Sequence, residues 1–92
     1  MSKPYTHDEF LKQARQYVAY WTNENVESSN PEPFTIDDVY VVWSCKTLQN
    51  SKALLATNNP DGMYFEATLN GDKNEIYFDA YKKVEKKIWT WE

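Results

Sequence analysis

Two side chains in this sequence invite a chemical reading first, the single histidine His7 and the single cysteine Cys45. An imidazole serves as a general base near neutral pH, and His7 stands beside Asp8 and Glu9. Its place at the first turn of an expected helix favours an exposed structural residue instead. A zinc site there would need ligands from another chain. A nucleophilic thiol needs a paired base, and His7 would have to reach Cys45 from the start of that helix. The alternation around Cys45 puts it on an inward face with Val41 and Trp43, where a free thiol behaves as a small hydrophobe. With one cysteine, neither an intramolecular disulfide nor a thiolate metal cluster can form within one chain.

Pro60-Asp61 followed by Glu85-Lys86-Lys87 echoes a loose Pro-Asp…Glu-x-Lys pattern. In metal-dependent nucleases such carboxylates hold magnesium and the lysine attends the scissile phosphate. Here Pro60-Asp61-Gly62 is already accounted for as a turn, and the chain is short for that fold, so a small nuclease is the remote reading. Two isolated glycines cannot make a phosphate-cradling loop. The expectation is a protein without catalytic, metal-binding or cofactor-binding residues, and therefore not an enzyme.

What remains is a binding surface. If the strands described below hold their alternation, Tyr40, Tyr64, Tyr77 and Tyr81 share one face of a sheet with Glu66, Thr68 and Asp79. Tyrosine is enriched at interfaces, where it offers a large contact area and one hydroxyl. The plain alternative is a set of ordinary cross-strand pairs on a solvated sheet, or a face covered by the C-terminal residues. Open aromatics also stack bases, but Glu66 and Asp79 would repel phosphates. Only the cluster Lys82, Lys83, Lys86 and Lys87 favours nucleic acid.

The elements that must position this face are legible. Thr6-His7-Asp8-Glu9 is a capping box, flanked by Tyr5 and Phe10 as a hydrophobic staple. Phe10, Ala14, Tyr17, Val18 and Trp21 then form the stripe of an amphipathic helix over 7–23. An acidic, proline-containing loop follows over 24–37, in which Glu24, Glu27, Glu32 and Asp37, with Asp38 just after, meet no basic residue. From 38 to 83 the period changes to two, as an antiparallel meander of about four strands requires. Asn59-Pro60-Asp61-Gly62 and Asn70-Gly71 supply its turns. This alternation directs Trp43, Phe65 and Phe78 toward Phe10, Val18 and Trp21. Residues 84–92 read equally as a short helix, through Val84, Ile88 and Trp91, or as a strand, through Trp89 and Trp91. The fold class is α+β, in one domain over 1–92.

Composition agrees. Four Trp, four Phe and seven Tyr in 92 residues are enough for a compact core, since each large aromatic buries about 150–250 Å². The net charge of −4 resides in residues 1–38, with seven acidic against three basic side chains, while 39–92 hold seven of each. Acidic domains are repelled by phosphate backbones. No apolar run approaches the length of a membrane span and no signal-peptide pattern follows Met1, so a cytoplasmic setting is expected.

Two stretches, Tyr40 to Asn50 (Tyr-Val-Val-Trp-Ser-Cys-Lys-Thr-Leu-Gln-Asn) and Asn70 to Lys83, carry a resemblance together with the Asn-Pro-Asp-Gly turn. Over roughly residues 38–88 the chain resembles an uncharacterised family of small phage and prophage proteins from Gram-positive bacteria. The resemblance implies a small accessory protein that acts by binding, in the cytoplasm of the bacterial host, with no site residues to carry over. The expected partner is a protein, such as a host or defence factor. It would meet the tyrosine face and the acidic residues Glu27, Glu32, Asp37 and Asp38. A weak single-stranded nucleic-acid binder is the second reading, and a homodimer is another use for exposed aromatics.

Overall fold

The computed structural model describes residues 5–25, 32–59 and 62–90. Helix α1 spans His7–Asn25, and its start is the expected capping box. The Glu9 N–H donates to Thr6 Oγ1 and the Thr6 N–H to Glu9 Oε1, both at 3.1 Å. Phe10, Ala14 and Val18 are fully buried along its inner stripe. Thr22 prolongs that stripe, its hydroxyl donating to the Val18 carbonyl at 2.8 Å.

The chain returns from α1 through a clamp. The Asn23 side chain donates to the Phe34 carbonyl at 2.8 Å and accepts from the Phe34 N–H at 2.7 Å. A 3₁₀ turn over Ile36–Asp38 follows, with a second capping box built from Thr35 and Asp38. Four antiparallel strands then run in chain order as one sheet: β1 (Val39–Thr47), β2 (Asn50–Thr57), β3 (Met63–Asn70) and β4 (Glu75–Lys82). One helix on one face of a four-stranded meander is the expected α+β fold.

Helix α1 lies over β1 and β2 and reaches β3. Beneath it Val39, Ala53, Leu55, Phe65, Ala67 and Leu69 complete the core. Full burial of Phe10, Val18 and Leu55 contributes about 1.5–3 kcal/mol each. Trp21 meets Phe65 edge-on, with ring centroids 5.2 Å apart. Phe78 lies at the margin of the helix, under Tyr17 rather than Phe10, the two rings stacked at 3.9 Å and 16°. Beyond it no described element covers the helix side of β4, and Ala80 is exposed.

Strand β1 departs from strict alternation. Val41 pairs with Leu55 but Trp43 pairs with Leu54, so Val42 is an extra residue in a β-bulge. A one-residue bulge reverses which face each later side chain meets. Trp43 and Cys45, expected to point inward, therefore stand on the face away from the helix, opposite Leu54 and Lys52. Trp43 is 45 % exposed and Cys45 is exposed. Ser44 takes the inward place instead, and the apolar run Val41-Val42-Trp43 offers no polar residue to mark the change.

The hairpins also differ from expectation. Thr47 pairs with Asn50, leaving a two-residue turn at Leu48-Gln49 in which Leu48 has φ 56°. That left-handed region costs an ordinary L-residue about 1–2 kcal/mol, and nothing but Leu48 itself occupies the position. Asn70-Gly71 is not a two-residue turn. Asn70 pairs with Glu75 across a four-residue connection in which Asn74, not Gly71, has a positive φ of 53°. Asn70 Oδ1 accepts from the Asp72 and Lys73 N–H groups at 3.1 and 3.4 Å, turning the chain. Gly62 does take the left-handed conformation expected of it, with φ 74°. Pro60 and Asp61 of that turn lie outside the described residues.

Residues 83–90 form neither helix nor strand, and every one of them is exposed. Trp91 falls outside the described residues. Among the described residues no helix is long and apolar enough to cross a membrane.

Candidate protein-binding face

Register assembles the outer face row by row. Tyr40 stands opposite Ala56 on β1 and β2, and Tyr64 opposite Tyr81 on β3 and β4. In the next row Trp43 faces Leu54, Leu54 faces Glu66, and Glu66 faces Asp79. In the third, Cys45 faces Lys52, Lys52 faces Thr68, and Thr68 faces Tyr77. All four tyrosines, Glu66 and Asp79 thus share one face, as their parity requires. No described element lies over it. Tyr40 is 53 % exposed, Tyr77 45 % and Tyr81 52 %, while Tyr64 is half-buried.

Four further residues that sequence reasoning missed belong to this surface: Trp43 and Cys45, turned outward by the bulge in β1, and Leu54 and Lys52 of β2. Leu54 and Lys52 had a signal, since each alternates with the buried Ala53 and Leu55. Trp43 and Cys45 had none, because the bulge decides their side.

Charge on the face is acidic and partly compensated. Glu66 and Asp79 are directly opposed carboxylates, an arrangement that repels. Lys52 Nζ reaches Glu66 Oε1 at 3.3 Å, leaving Asp79 with no ion pair among the described residues. Near the hairpin end Tyr77 donates its hydroxyl to Glu75 Oε2 at 2.6 Å. That bond holds the tyrosine proton and raises the Tyr77 pKa above its ordinary 10.0. A shallow depression of about 290 Å³ opens at the other end, lined by Tyr40, Ala56, Asn58 and Tyr64 among others.

The acidic segment divides. Glu27 lies outside the described residues, and Glu32 and Asp37 are exposed. Asp38 is engaged in the fold: its carboxylate accepts from the Thr35 N–H at 2.8 Å and from Asn58 Nδ2 at 2.9 Å. Those bonds, the Thr35 backbone bond foremost, lower its pKa below the ordinary 3.8. Because Asn58 also lines the depression beside Tyr40 and Tyr64, Asp38 sits at the rim of the aromatic face.

His7 has a structural occupation that its sequence position did not disclose. Its Nε2 lies 3.1 Å from Ser44 Oγ and its Nδ1 3.2 Å from Ser51 Oγ. A nucleophilic serine needs a base whose second nitrogen is oriented, typically by a carboxylate. Here the second nitrogen meets another hydroxyl, on the buried Ser51, and the ring ties the start of α1 to β1 and β2. Cys45 lies on the outer face, away from this histidine. Glu85 and Lys87, from the nuclease-like pattern, lie on the exposed segment 83–90, 4.0 Å apart. Asp61 is outside the described residues. Among the described residues no three His, Cys, Asp or Glu side chains converge as a metal site.

Comparison with known proteins identifies one family. Residues 11–90 match the model of DUF6275, described as a family of unknown function. No curated protein and no solved structure matches the chain.

Proposed function

The chain belongs to the DUF6275 family, whose function is unknown, and on that premise we propose a non-enzymatic role, in which the outer face of the sheet binds a protein partner. The observation that carries this reading is the uncovered face itself. Tyr40, Trp43, Tyr77 and Tyr81 are each about half exposed around Leu54, on a rigid four-stranded scaffold. Rigid aromatics lose little conformational freedom on binding and anchor interfaces. Asp79, Glu75 and the rim of the acidic segment would steer association toward a basic partner.

The setting we propose is a phage or prophage accessory protein of a Gram-positive bacterium, working in the host cytoplasm on a host or defence protein. This rests on the resemblance of residues 38–88 to such proteins. Stoichiometric binding suits a small domain whose one histidine is occupied by two serines.

The test is affinity capture from host lysate with the wild type, Trp43→Ala and Tyr77→Ala. One partner should be held by the wild type and lost by both variants, while far-UV circular dichroism stays unchanged. A partner retained equally by all three forms would show that another surface does the work. A single-stranded nucleic-acid binder would use Tyr77, Tyr81 and the lysines of 82–87, with affinity falling steeply as salt is added. Glu66, Glu75 and Asp79 on the same face count against it, and absence of oligonucleotide binding at low salt removes it.

A further inference from the structure

Strand β4 is an edge of the sheet, and its outer backbone groups meet no other strand among the described residues. An open edge is a template for another chain. The chain continues past it into residues 83–90, where Val84 is 95 % exposed, Ile88 87 % and Trp89 86 %. Beside the edge, the helix side of β4 carries an uncovered apolar groove of about 290 Å³ between Tyr17, Tyr20, Ile76 and Phe78. One molecule thus carries an open edge, an apolar groove and an exposed segment with three apolar side chains.

We propose that β4 and residues 83–90 pair antiparallel with the same stretch of a second copy of this chain, about a twofold axis at Lys83, to make one continuous eight-stranded sheet. Such a contact is self-complementary by symmetry and is strand addition at an open edge.

Register argues for it. Continuing the alternation of β4, odd positions share the outer face with Tyr77 and Asp79, and even positions share the helix side with Ile76 and Phe78. With the axis at Lys83, Lys87 of one copy falls opposite Asp79 of the other, Trp89 opposite Tyr77, and Glu85 opposite Tyr81. On the helix side Ile88 falls opposite Phe78, where it fills the groove under Tyr17 and Tyr20. Asp79, which has no ion pair within the described chain, gains one. Lys87 gives up only a solvated 4.0 Å contact with Glu85, of a kind that contributes little.

Neighbouring registers gain less from charge. An axis at Lys82 sets Asp79 against Glu85, and an axis at Val84 sets Lys82 against Lys86, which offsets its pairing of Lys83 with Glu85 and leaves Asp79 opposite Trp89. Shifts of a single residue oppose outer-face side chains to helix-side ones and place the two helices on opposite sides. The chosen register has one unfavourable opposition, Lys83 with its copy, whose long stems can diverge into water. A return of the segment onto its own sheet is disfavoured for a different reason. Residues 82–90 contain no Gly, Pro, Asn or Asp to make the reversal, and the Lys83 N–H is held by the Gly62 carbonyl at 2.8 Å. The pairing leaves the surface around Tyr40, Trp43 and Leu54 free, so it goes beyond the binding role proposed above.

Sedimentation equilibrium of the full chain tests it. The mass should rise with concentration to twice the 10.9 kDa of one chain. Asp79→Lys and Lys87→Asp each oppose like charges twice per dimer, and each should weaken self-association by about tenfold or more. Mixed in equal amounts, the two variants restore opposite charges at both contacts, and the mixture should associate as the wild type does. Ile88→Ser, outside all regular structure, should weaken association without touching the fold. A wild type that stays monomeric at high concentration overturns the proposal. So do charge variants that associate normally, or a mixture that stays monomeric.

Discussion

Gly71 packs so closely against Gln49 that a β-carbon at position 71 would clash with the Gln49 carbonyl oxygen. The two residues belong to different hairpin tips, and neighbouring contacts bind those tips together. Gln49 Nε2 donates to Asp72 Oδ1 at 2.6 Å, and the Gly71 N–H donates to Asn50 Oδ1 at 3.0 Å. Glycine is needed at 71 for this approach and not for a positive φ. Gly71→Ala should therefore cost about 1–3 kcal/mol, the range for forcing extra atoms into a packed place. Urea denaturation measures it, and a loss within a few tenths of a kcal/mol would mean that the tips separate readily.

Leu48 stands at the opposite extreme. It is 82 % exposed and holds a left-handed φ of 56°, so it loses conformational energy and recovers nothing by burial. Asparagine tolerates that conformation. Leu48→Asn should stabilise the protein by about 0.5–1 kcal/mol, a rise in Tm of about 2–8 °C for a domain of this size. An unchanged or lower Tm would contradict the turn described.

Asp38 makes stability depend on pH in the acid range. Its carboxyl titrates below the ordinary 3.8 because the Thr35 N–H and the Asn58 amide hold the charged form. A depressed folded value favours the ionised state, so its contribution is complete above 3.8 and is lost as pH falls through the lower folded value. Asp38→Asn should be less stable than the wild type at neutral pH, with the difference closing well below the carboxylate range. Denaturation midpoints of the two proteins across acid pH report it; a difference that does not narrow would assign the loss to something other than ionisation.

The bulge in β1 can be read chemically. With Cys45 on the outer face and exposed, the folded protein should react with a thiol reagent at nearly the rate of the unfolded chain. Strict alternation would set the thiol on the helix side, in the place of Ser44 against the His7 ring, where a reagent has less access. Strong protection in the native state would therefore displace the bulge.

These cases show which parts of the molecule the sequence discloses. Helix α1 is legible because its signals are local: Thr6 and Glu9 are three residues apart, and the stripe from Phe10 to Trp21 repeats at the helical period. The tyrosine face is legible on β3 and β4 for the same reason, since alternation there is unbroken from Met63 to Asn70 and from Glu75 to Lys82. Trp43 and Cys45 are misplaced because a bulge is decided between strands. Val42 becomes the extra residue only when Leu54 and Leu55 take their partners. Gly71 is misread for a related reason, as its true constraint comes from Gln49, twenty-two positions earlier in the chain. The bonds from His7 to Ser44 and Ser51 are equally non-local.

The clasp between the hairpin tips has a kinetic meaning. Gln49 can meet Asp72, and Asn50 can meet Gly71, only after each hairpin has closed and the seam between β2 and β3 has zipped to its end. Contacts formed that late are absent from the transition state, so they act on the escape rate and not on the approach. Gln49→Ala should accelerate unfolding and leave refolding unchanged in stopped-flow measurements, whereas slowed refolding would move the clasp into the nucleus. On this view residues 49 and 72 set how long the native sheet survives once made, while the speed of its making is set elsewhere.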